Sequence, residues 1–441
     1  MTSADQWLSS APAHWTRGRL KDLISSSANG IWGSDPVENG NNVRCIRAAD
    51  FDRVGRRAGL SNAPLRYVEP SSLRQHVLRP GDLVLEKSGG GEKQPVGMAA
   101  LFTETDTAVC SNFCARIKPS ADVDSRFLTY VFAAAYGQGV TQVAIKQTTG
   151  IQNLDTGAFF ASRWAFPAKE EQRRIADYLD AETKRIDTLV AAKEQASSLI
   201  DERRIALISQ HCLRGTNAQT DFKDSGIGPL GSIPAHWAIK RNKTFMCEVN
   251  DPSQHGSEEL LTVSHLTGVT PRREKTVYMF QAESLVGYKK CRPGDLVINT
   301  LWAWMGALGV SRHEGIVSPA YGVYRFTSQD TLPEYFDLLF RTPEYVTEMT
   351  RYSKGVWTSR LRLYPESFLA LSTPVPPLDE QEAIVTTVQR KIGPGRKLQD
   401  AIRRSNSLLA ERRSALITAA VTGQFDVSTA SGSNVTEGVS A

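Results

Sequence analysis

Gly89, Gly90, Gly91, Glu92 and Lys93 form a glycine run ending in a cation, the composition of a loop whose N–H groups could cradle phosphate. The G-x-x-x-x-G-K-[ST] spacing is absent, so no nucleotide-phosphate loop is expected. Asp82 and Glu86 come near the pattern of a metal-dependent nuclease, an acid followed by acid-x-Lys. Lys87 follows Glu86 directly, however, and a related stretch has Asp295 and then Asn299, so turn chemistry accounts for the Pro-Gly-Asp better in both places. Val375, Pro376, Pro377 and Leu378 lack the Asn/Asp-Pro-Pro-aromatic order of an adenine methyltransferase. His211 and His236 have no nucleophile and carboxylate at a recognisable spacing. Of six cysteines (Cys45, Cys110, Cys114, Cys212, Cys247, Cys291), only Cys110 and Cys114 stand close, with no second pair at ligand spacing. No catalytic, cofactor-binding or metal-binding residue is assigned, and an enzyme is not expected.

Composition is permissive. The 441 residues are enough for two or more domains, and 41% hydrophobic content is enough to give each a core. A net charge of +5 allows a nucleic-acid partner without demanding one. No apolar run approaches the ~18 residues of a membrane span. With no C-x-x-C pair and no basic-then-apolar leader, a reduced cytoplasmic protein is expected.

The elements that would position any binding residue are repeated. Pro167, Glu171, Gln172 and Ile175 recur as Pro376, Glu380, Gln381 and Ile384. Leu199, Glu202, Arg203, Arg204, Ala206, Leu207 and Ile208 recur as Leu408, Glu411, Arg412, Arg413, Ala415, Leu416 and Ile417, at the same spacing of 209 residues. Equal spacing at both ends of a segment is the mark of an element whose length matters. Each copy reads as a helix entered through proline in its first turn, with acids behind it at the positive end of the dipole. Leu179, Ile186, Lys193, Ile200 and Leu207 lie seven apart, matched by Val388, Gly395, Ile402, Leu409 and Leu416. That is an apolar seam with one defect per copy, suited to pairing the helices or docking a partner. Gly215 and Gly423 supply left-handed stops. A helix of roughly 45 residues at ~1.5 Å rise is about 65 Å long and needs an equally long partner, most simply the other copy. Gly393, Pro394 and Gly395 predict a kink or break in the second helix.

Shorter landmarks repeat as well. Pro12, Ala13, His14 and Trp15, in an amphipathic opening segment from Trp7 to Ile24, return as Pro234 to Trp237, 222 residues on. Arg79 to Val84, a turn running into a strand, returns as Arg292 to Val297 at a spacing of 213. Strands are predicted at Met98 to Phe102 and Ala307 to Val310, then at Phe113 to Ile117 and Tyr321 to Phe326. Helices follow at Phe127 to Ala135 and Pro333 to Phe340. The fold class is α+β: two globular units, 1–165 and 216–374, separated by long helices at 166–215 and 375–424 that pack as an antiparallel coiled coil, an internal pseudo-twofold repeat. Residues 425–441 are expected to form a flexible tail. Trp302 and Trp304 are assigned to the core.

This arrangement resembles the specificity subunit of type I restriction-modification systems. The most specific pieces are Pro376 to Gln381, the passage from Ser225 to Trp237, and Val317 to Tyr321; Ala168 and Lys169 depart from the lettering of the second helix start. The resemblance implies a non-catalytic reader of double-stranded DNA. Each globule would be a target recognition domain reading one half of a split, asymmetric site. The helices would set the spacer and dock two modification subunits, which methylate adenine using S-adenosylmethionine, and restriction subunits would complete the nuclease. Half-sites one DNA turn apart lie ~34 Å from each other, within the reach of such helices. Phosphates call for Arg and Lys, base edges for Arg, Lys, Asn and Gln. The candidates are Lys87, Lys93, Gln94, Lys146, Gln147 and Asn153 in the first globule. In the second they are Arg272, Arg273, Lys275, Lys354, Trp357, Arg360 and Arg362. The competing expectation is a coiled-coil adaptor that joins proteins without touching DNA.

Overall fold

Both long helices form. The computed structural model describes residues 10–429 other than 39, 41, 92–93, 149, 218, 275–283 and 358–360. The first long helix is Lys169–Arg214 and the second Leu378–Val421, 46 and 44 residues. Their prolines stand just outside rather than in the first turn. Gln172 N donates to Ala168 O at 3.1 Å and Gln381 N to Pro377 O at 3.0 Å, which makes Ala168 and Pro377 the caps. Gly215 (φ 74°) and Gly423 (φ 75°) take the left-handed conformation at the far ends, as the sequence predicts.

The expected break at 393–395 does not occur: the second helix continues through Pro394. Proline there forfeits one intrahelical bond, but Ile392 and Ile402 on either side are buried and hold the backbone in register. Gly395 lets that face come close, since a Cβ on it would stand 3.0 Å from Ile200 Cγ2.

The chain divides into two compact units, Met1–Lys193 with Arg404–Ala441, and Glu194–Arg403. In the first, Arg413 lies 3.1 Å from Asp187, and the rings of Tyr178 and Phe425 are 5.6 Å apart. In the second, Gln399 Nε2 donates to Ser197 O at 3.1 Å and Lys391 Nζ is 3.0 Å from His211 Nε2. As numbering rises along one helical segment it falls along its neighbour, so the pairing within each unit is antiparallel. Leu179, Ile186, Val388, Ile402 and Leu416 are buried, while Ile200, Leu207 and Leu409 are half-buried. Helix ends complete each globular core: Ile175, Leu179, Leu416, Ile417, Ala420 and Val421 join Phe127, Phe132 and Phe159 in the first. Cys212, Leu213, Ile384 and Val388 join Phe336, Phe340 and Phe368 in the second.

The sheets repeat too. In the first unit the six-stranded order is Ile24–Asn29, Cys114–Pro119, Leu83–Glu86, Ala99–Leu101, Arg57–Ala58, Phe51–Asp52; in the second the four-stranded order is Met246–Glu248, Tyr321–Phe326, Leu296–Asn299, Leu308–Val310. The first four strands of the larger sheet match the four of the smaller. From Thr16 the opening segment is a strand, paired antiparallel with Arg163–Phe166, and Ala238–Arg241 pairs likewise with Ser372–Val375. Past residue 424, the Phe425 ring packs at a tilt against Tyr178 and Val427 packs against the first core; the rest of the expected tail, 430–441, lies outside the described residues.

The repeated letters have a shared mechanical role. Trp15 Nε1 donates to Glu171 Oε1 at 2.9 Å, with His14 Nε2 3.0 Å from Oε2. Trp237 Nε1 donates to Glu380 Oε2 at 2.9 Å, with His236 on the other oxygen. The neighbouring glutamines are buried. Gln172 Nε2 donates to Pro167 O (2.9 Å) while its Oε1 accepts from Asp124 N (3.0 Å). Gln381 Nε2 donates to Pro376 O (2.8 Å) while its Oε1 accepts from Leu332 N (2.8 Å). Asp124 and Leu332 cap the helices Ser125–Gly137 and Pro333–Phe340. Each Glu-Gln pair thus fastens a helix start to the globule beside it.

Candidate nucleic-acid interface

A tight turn sends one strand of each sheet outward. Asp82 accepts from Arg79 N and Asp295 from Arg292 N, both at 2.9 Å, over left-handed Gly81 and Gly294. The Pro-Gly-Asp acids are turn-formers, and Asp295 also takes both arms of Arg325, at 2.8 and 2.7 Å. Burial raises the Asp82 carboxyl above its ordinary range. Burial likewise raises Glu86, against the opposing pull of the Arg53 guanidinium 3.2 Å away.

In the first unit the strand Leu83–Glu86 leads into a loop, and the hairpin Ile145–Thr148/Ile151–Leu154 docks on it. Leu154 N donates to Lys87 O (2.8 Å) and Gly89 N to Gln152 O (3.0 Å). Along the second hairpin strand burial alternates, with Gln152 and Leu154 inward, Ile151 and Asn153 outward. Gln152 is held by Val96 N, 3.3 Å from its Oε1. Lys87, Gln94, Lys146, Gln147 and Asn153 are thereby brought to one loop-and-hairpin cluster. Ser88 Oγ donates to Asn153 Oδ1 (2.6 Å), Lys87 Nζ to Asn29 Oδ1 (2.9 Å), and Lys146 Nζ to Asp155 Oδ2 (2.7 Å). The Lys146 bond holds the Asp155 carboxyl below its usual range. Gln147 is exposed, with no side-chain bond among the described residues. Lys93 lies outside them. Phe113 and Ile151, each half exposed, stand in the same cluster: Lys87 N donates to Phe113 O at 3.0 Å. Sequence reading missed both, because an apolar residue in a strand pattern carries no sign of facing solvent.

The second unit builds the counterpart. Leu363 N donates to Thr300 O at 2.9 Å, and Lys354 and Arg362 exchange both backbone bonds at 2.9 Å. Lys354 Nζ and the Arg362 guanidinium lie over the Tyr364 ring, 5.8 and 5.2 Å from its centroid. Trp357 is 69% exposed and Val356 92%. Trp302, assigned to the core from sequence, is 51% exposed. It belongs to the loop that follows Leu296–Asn299, where a tryptophan has no inward face to occupy. Trp304 is half-buried, its Nε1 donating to Leu301 O at 3.1 Å. Arg272 and Arg273 sit elsewhere, on the turn after Gly268–Pro271; Arg272 N donates to Leu260 O (2.9 Å) and Arg273 pairs with Glu259 (2.8 Å). Lys275 and Arg360 lie outside the described residues.

Ile145, Asn153 and Leu154 correspond to Lys354, Arg362 and Leu363 at the helix spacing of 209. The fixed-length repeat therefore begins at the hairpin, not at the helix. At equivalent places the two clusters differ: glycines 89–91 against Trp302, Ala303 and Trp304, Asn153 against Arg362.

Among the described residues there is no group of three His, Cys, Asp or Glu that could hold a metal ion, and no helix is long and apolar enough to cross a membrane. All six cysteines are free, and all but Cys247 are buried; burial pushes the Cys45 and Cys114 thiols up to about 11 and about 12.

No family model matches the chain. It is 21% identical over 326 residues to the specificity subunit of the type I restriction enzyme EcoKI of Escherichia coli K12, spanning 71% of this chain and 68% of that one. It superposes on a chain from a structure of the type I restriction-modification system in complex assembly with TM-score 0.67 and 16% identity, over 94% of this chain and 99% of the other. The HsdS subunit of Thermoanaerobacter tengcongensis superposes more loosely, with TM-score 0.47 at 16% identity over 94% and 98%. The resemblance read from the repeated motifs is borne out, and the α+β architecture with paired long helices is shared with the first of these structures.

Proposed function

We propose that this chain is the specificity subunit of a type I restriction-modification complex, a DNA reader that leaves catalysis to its partners. The observation that carries this reading is the repeat itself. Hairpin and long helix recur at an unchanged spacing of 209 residues, while the side chains displayed on the hairpins are different. Constant length with changed lettering suits two readings of unlike sequence at a set separation.

In the first unit, Lys87 and Lys146 supply charge for phosphates, and Gln147 and Asn153 supply the amide groups that read base edges. In the second, Lys354 and Arg362 supply charge and Trp357 an exposed aromatic face. Arg272 and Arg273 would serve as phosphate contacts on a separate turn, Gln94 remains a candidate beside Lys87, and Lys93, Lys275 and Arg360 remain candidates by residue type alone. The long helices set the unspecified spacer and dock two modification subunits, which bring S-adenosylmethionine; restriction subunits join them.

Single-molecule sequencing of methylated adenines in cells carrying the complete operon tests this directly. The expected result is one bipartite motif with unlike halves and a fixed gap. Methylation that ignores sequence, or an electrophoretic shift with no preference among duplexes when the methyltransferase is present, would refute the proposal.

A further inference from the structure

The Glu-Arg-Arg triplet recurs at 202–204 and 411–413, yet its last arginine meets different surroundings in the two units. In the first unit Arg413 is engaged: Nε lies 3.1 Å from Asp187 Oδ1, and Nη2 donates to Asp187 Oδ2 at 3.3 Å and to Val54 O at 2.6 Å. The turn that carries Val54 also inserts Arg56, left-handed at φ 54°, over the Tyr130 ring. In the second unit the residue matching Asp187 is Arg396, and the residue matching Arg413 is Arg204. Among the described residues Arg204 forms one ion pair, with Asp201 one turn back on its own helix at 3.2 Å; its buried Nε makes no hydrogen bond, as is also true of Arg413 Nε, but no carboxylate from the facing helix stands beside it as Asp187 stands beside Arg413. A second arginine stands where the first unit has its carboxylate.

The space around this pair is open. A cleft of about 1020 Å³ has Ile205, Ile208, Leu338 and Ile392 among its apolar walls and is rimmed by Arg204, Arg312, Arg341 and Arg396. Arg341 donates to the carbonyls of His265 and Leu266 at 3.0 and 3.1 Å. Two acids also line the cleft: half-buried Asp337, which already accepts from Val310 N at 2.8 Å, and exposed Glu334. Arg312 and Arg396 have no ion pair among the described residues. Arg312 and Arg396 are exposed while Arg204 and Arg341 are half-buried, and like charges gathered beside an apolar floor gain from any anion that enters. A DNA backbone would meet the charges but leave the floor empty.

We propose that this cleft docks a protein segment presenting a carboxylate between apolar side chains. Arg204 and Arg396 take the carboxylate, and the floor takes its neighbours. The first unit satisfies the same position from within, through Asp187 and Val54, and takes no such segment. The inference does not rest on the DNA-reading proposal.

The test uses the full chain and a fluorescein-labelled peptide of alternating leucine and glutamate. Arg396→Asp rebuilds the first unit's ion pair with Arg204; it should weaken peptide binding tenfold or more in fluorescence anisotropy and raise the melting temperature. Arg312→Glu should weaken binding without that rise, and a peptide with serine for leucine should bind at least tenfold more weakly. Unchanged affinity in both variants overturns the proposal. So does a melting temperature lowered by Arg396→Asp, or displacement of the peptide by a short DNA duplex at matched concentration, which would make the cleft a phosphate site.

Discussion

Glu171 and Glu380 each divide two oxygens between a tryptophan and a histidine of the Pro-Ala-His-Trp motifs. Removing one leaves a buried indole N–H unpaired, which costs about 1–3 kcal/mol. Glu380→Ala should therefore lower the unfolding free energy of the second unit, read from urea denaturation, by that amount, whereas Glu382→Ala, on the exposed side of the same turn, should stay within about 0.5 kcal/mol of the parent. If the proposed interface binds DNA, replacing Lys354 and Arg362 together by alanine should weaken duplex binding across sequences. It should also reduce the slope of log affinity against log salt by about 0.9 for each phosphate that is no longer neutralised; an unchanged slope would remove both residues from the DNA backbone. The partners of Glu171 and Glu380 were not legible in the sequence, although all the letters were. The tryptophan motifs repeat at 222 and the glutamates at 209. The intervening loops differ in length, so no single alignment shift joins them. Trp302 departs from its expected place in the core for a related reason: hydrophobicity marks a residue for burial, but only the path of its loop decides whether a core is within reach.

The long helices were the most legible elements, since period, acids and terminal glycines all agreed, and the strands around Pro-Gly-Asp followed from turn chemistry. Their interior was less legible. Pro394 argued for a break, and burial of Ile392 and Ile402 outweighs it. The helix thus tolerates a residue that costs about 3 kcal/mol in a helix interior, so Pro394→Ala should raise the unfolding free energy of the second unit, read from urea denaturation, by an amount approaching that figure. Gly395→Leu should do the opposite, because its first side-chain carbon already meets Ile200 at 3.0 Å. A neutral result for both would mean this stretch contributes little to helix pairing. The hairpin Ile145–Leu154 escaped sequence reading as a repeat because only two of its ten positions keep their identity, Thr149 as Thr358 and Leu154 as Leu363. What persists is spacing, backbone bonding and one inward leucine.

For the whole molecule, the two-copy plan was visible in the spacings, and the unlikeness of the copies was visible in their loops. Which loop residues share a surface was not, because hairpin docking is set by backbone bonds that leave no letter behind. Inserting four residues near Ala191 lengthens the first helix by about one turn and should change the number of unspecified bases in the methylated motif without altering either half; a motif with the original gap would show that helix length does not set it. The division of the chain has a consequence for how the protein is made. The second unit is one uninterrupted stretch, Glu194–Arg403, whereas the first draws Leu416, Ile417, Ala420 and Val421 into a core begun by residues before 194. On the ribosome, the middle of the polypeptide can finish folding while its beginning still waits, with an unsealed apolar face, for the last helical turns to emerge.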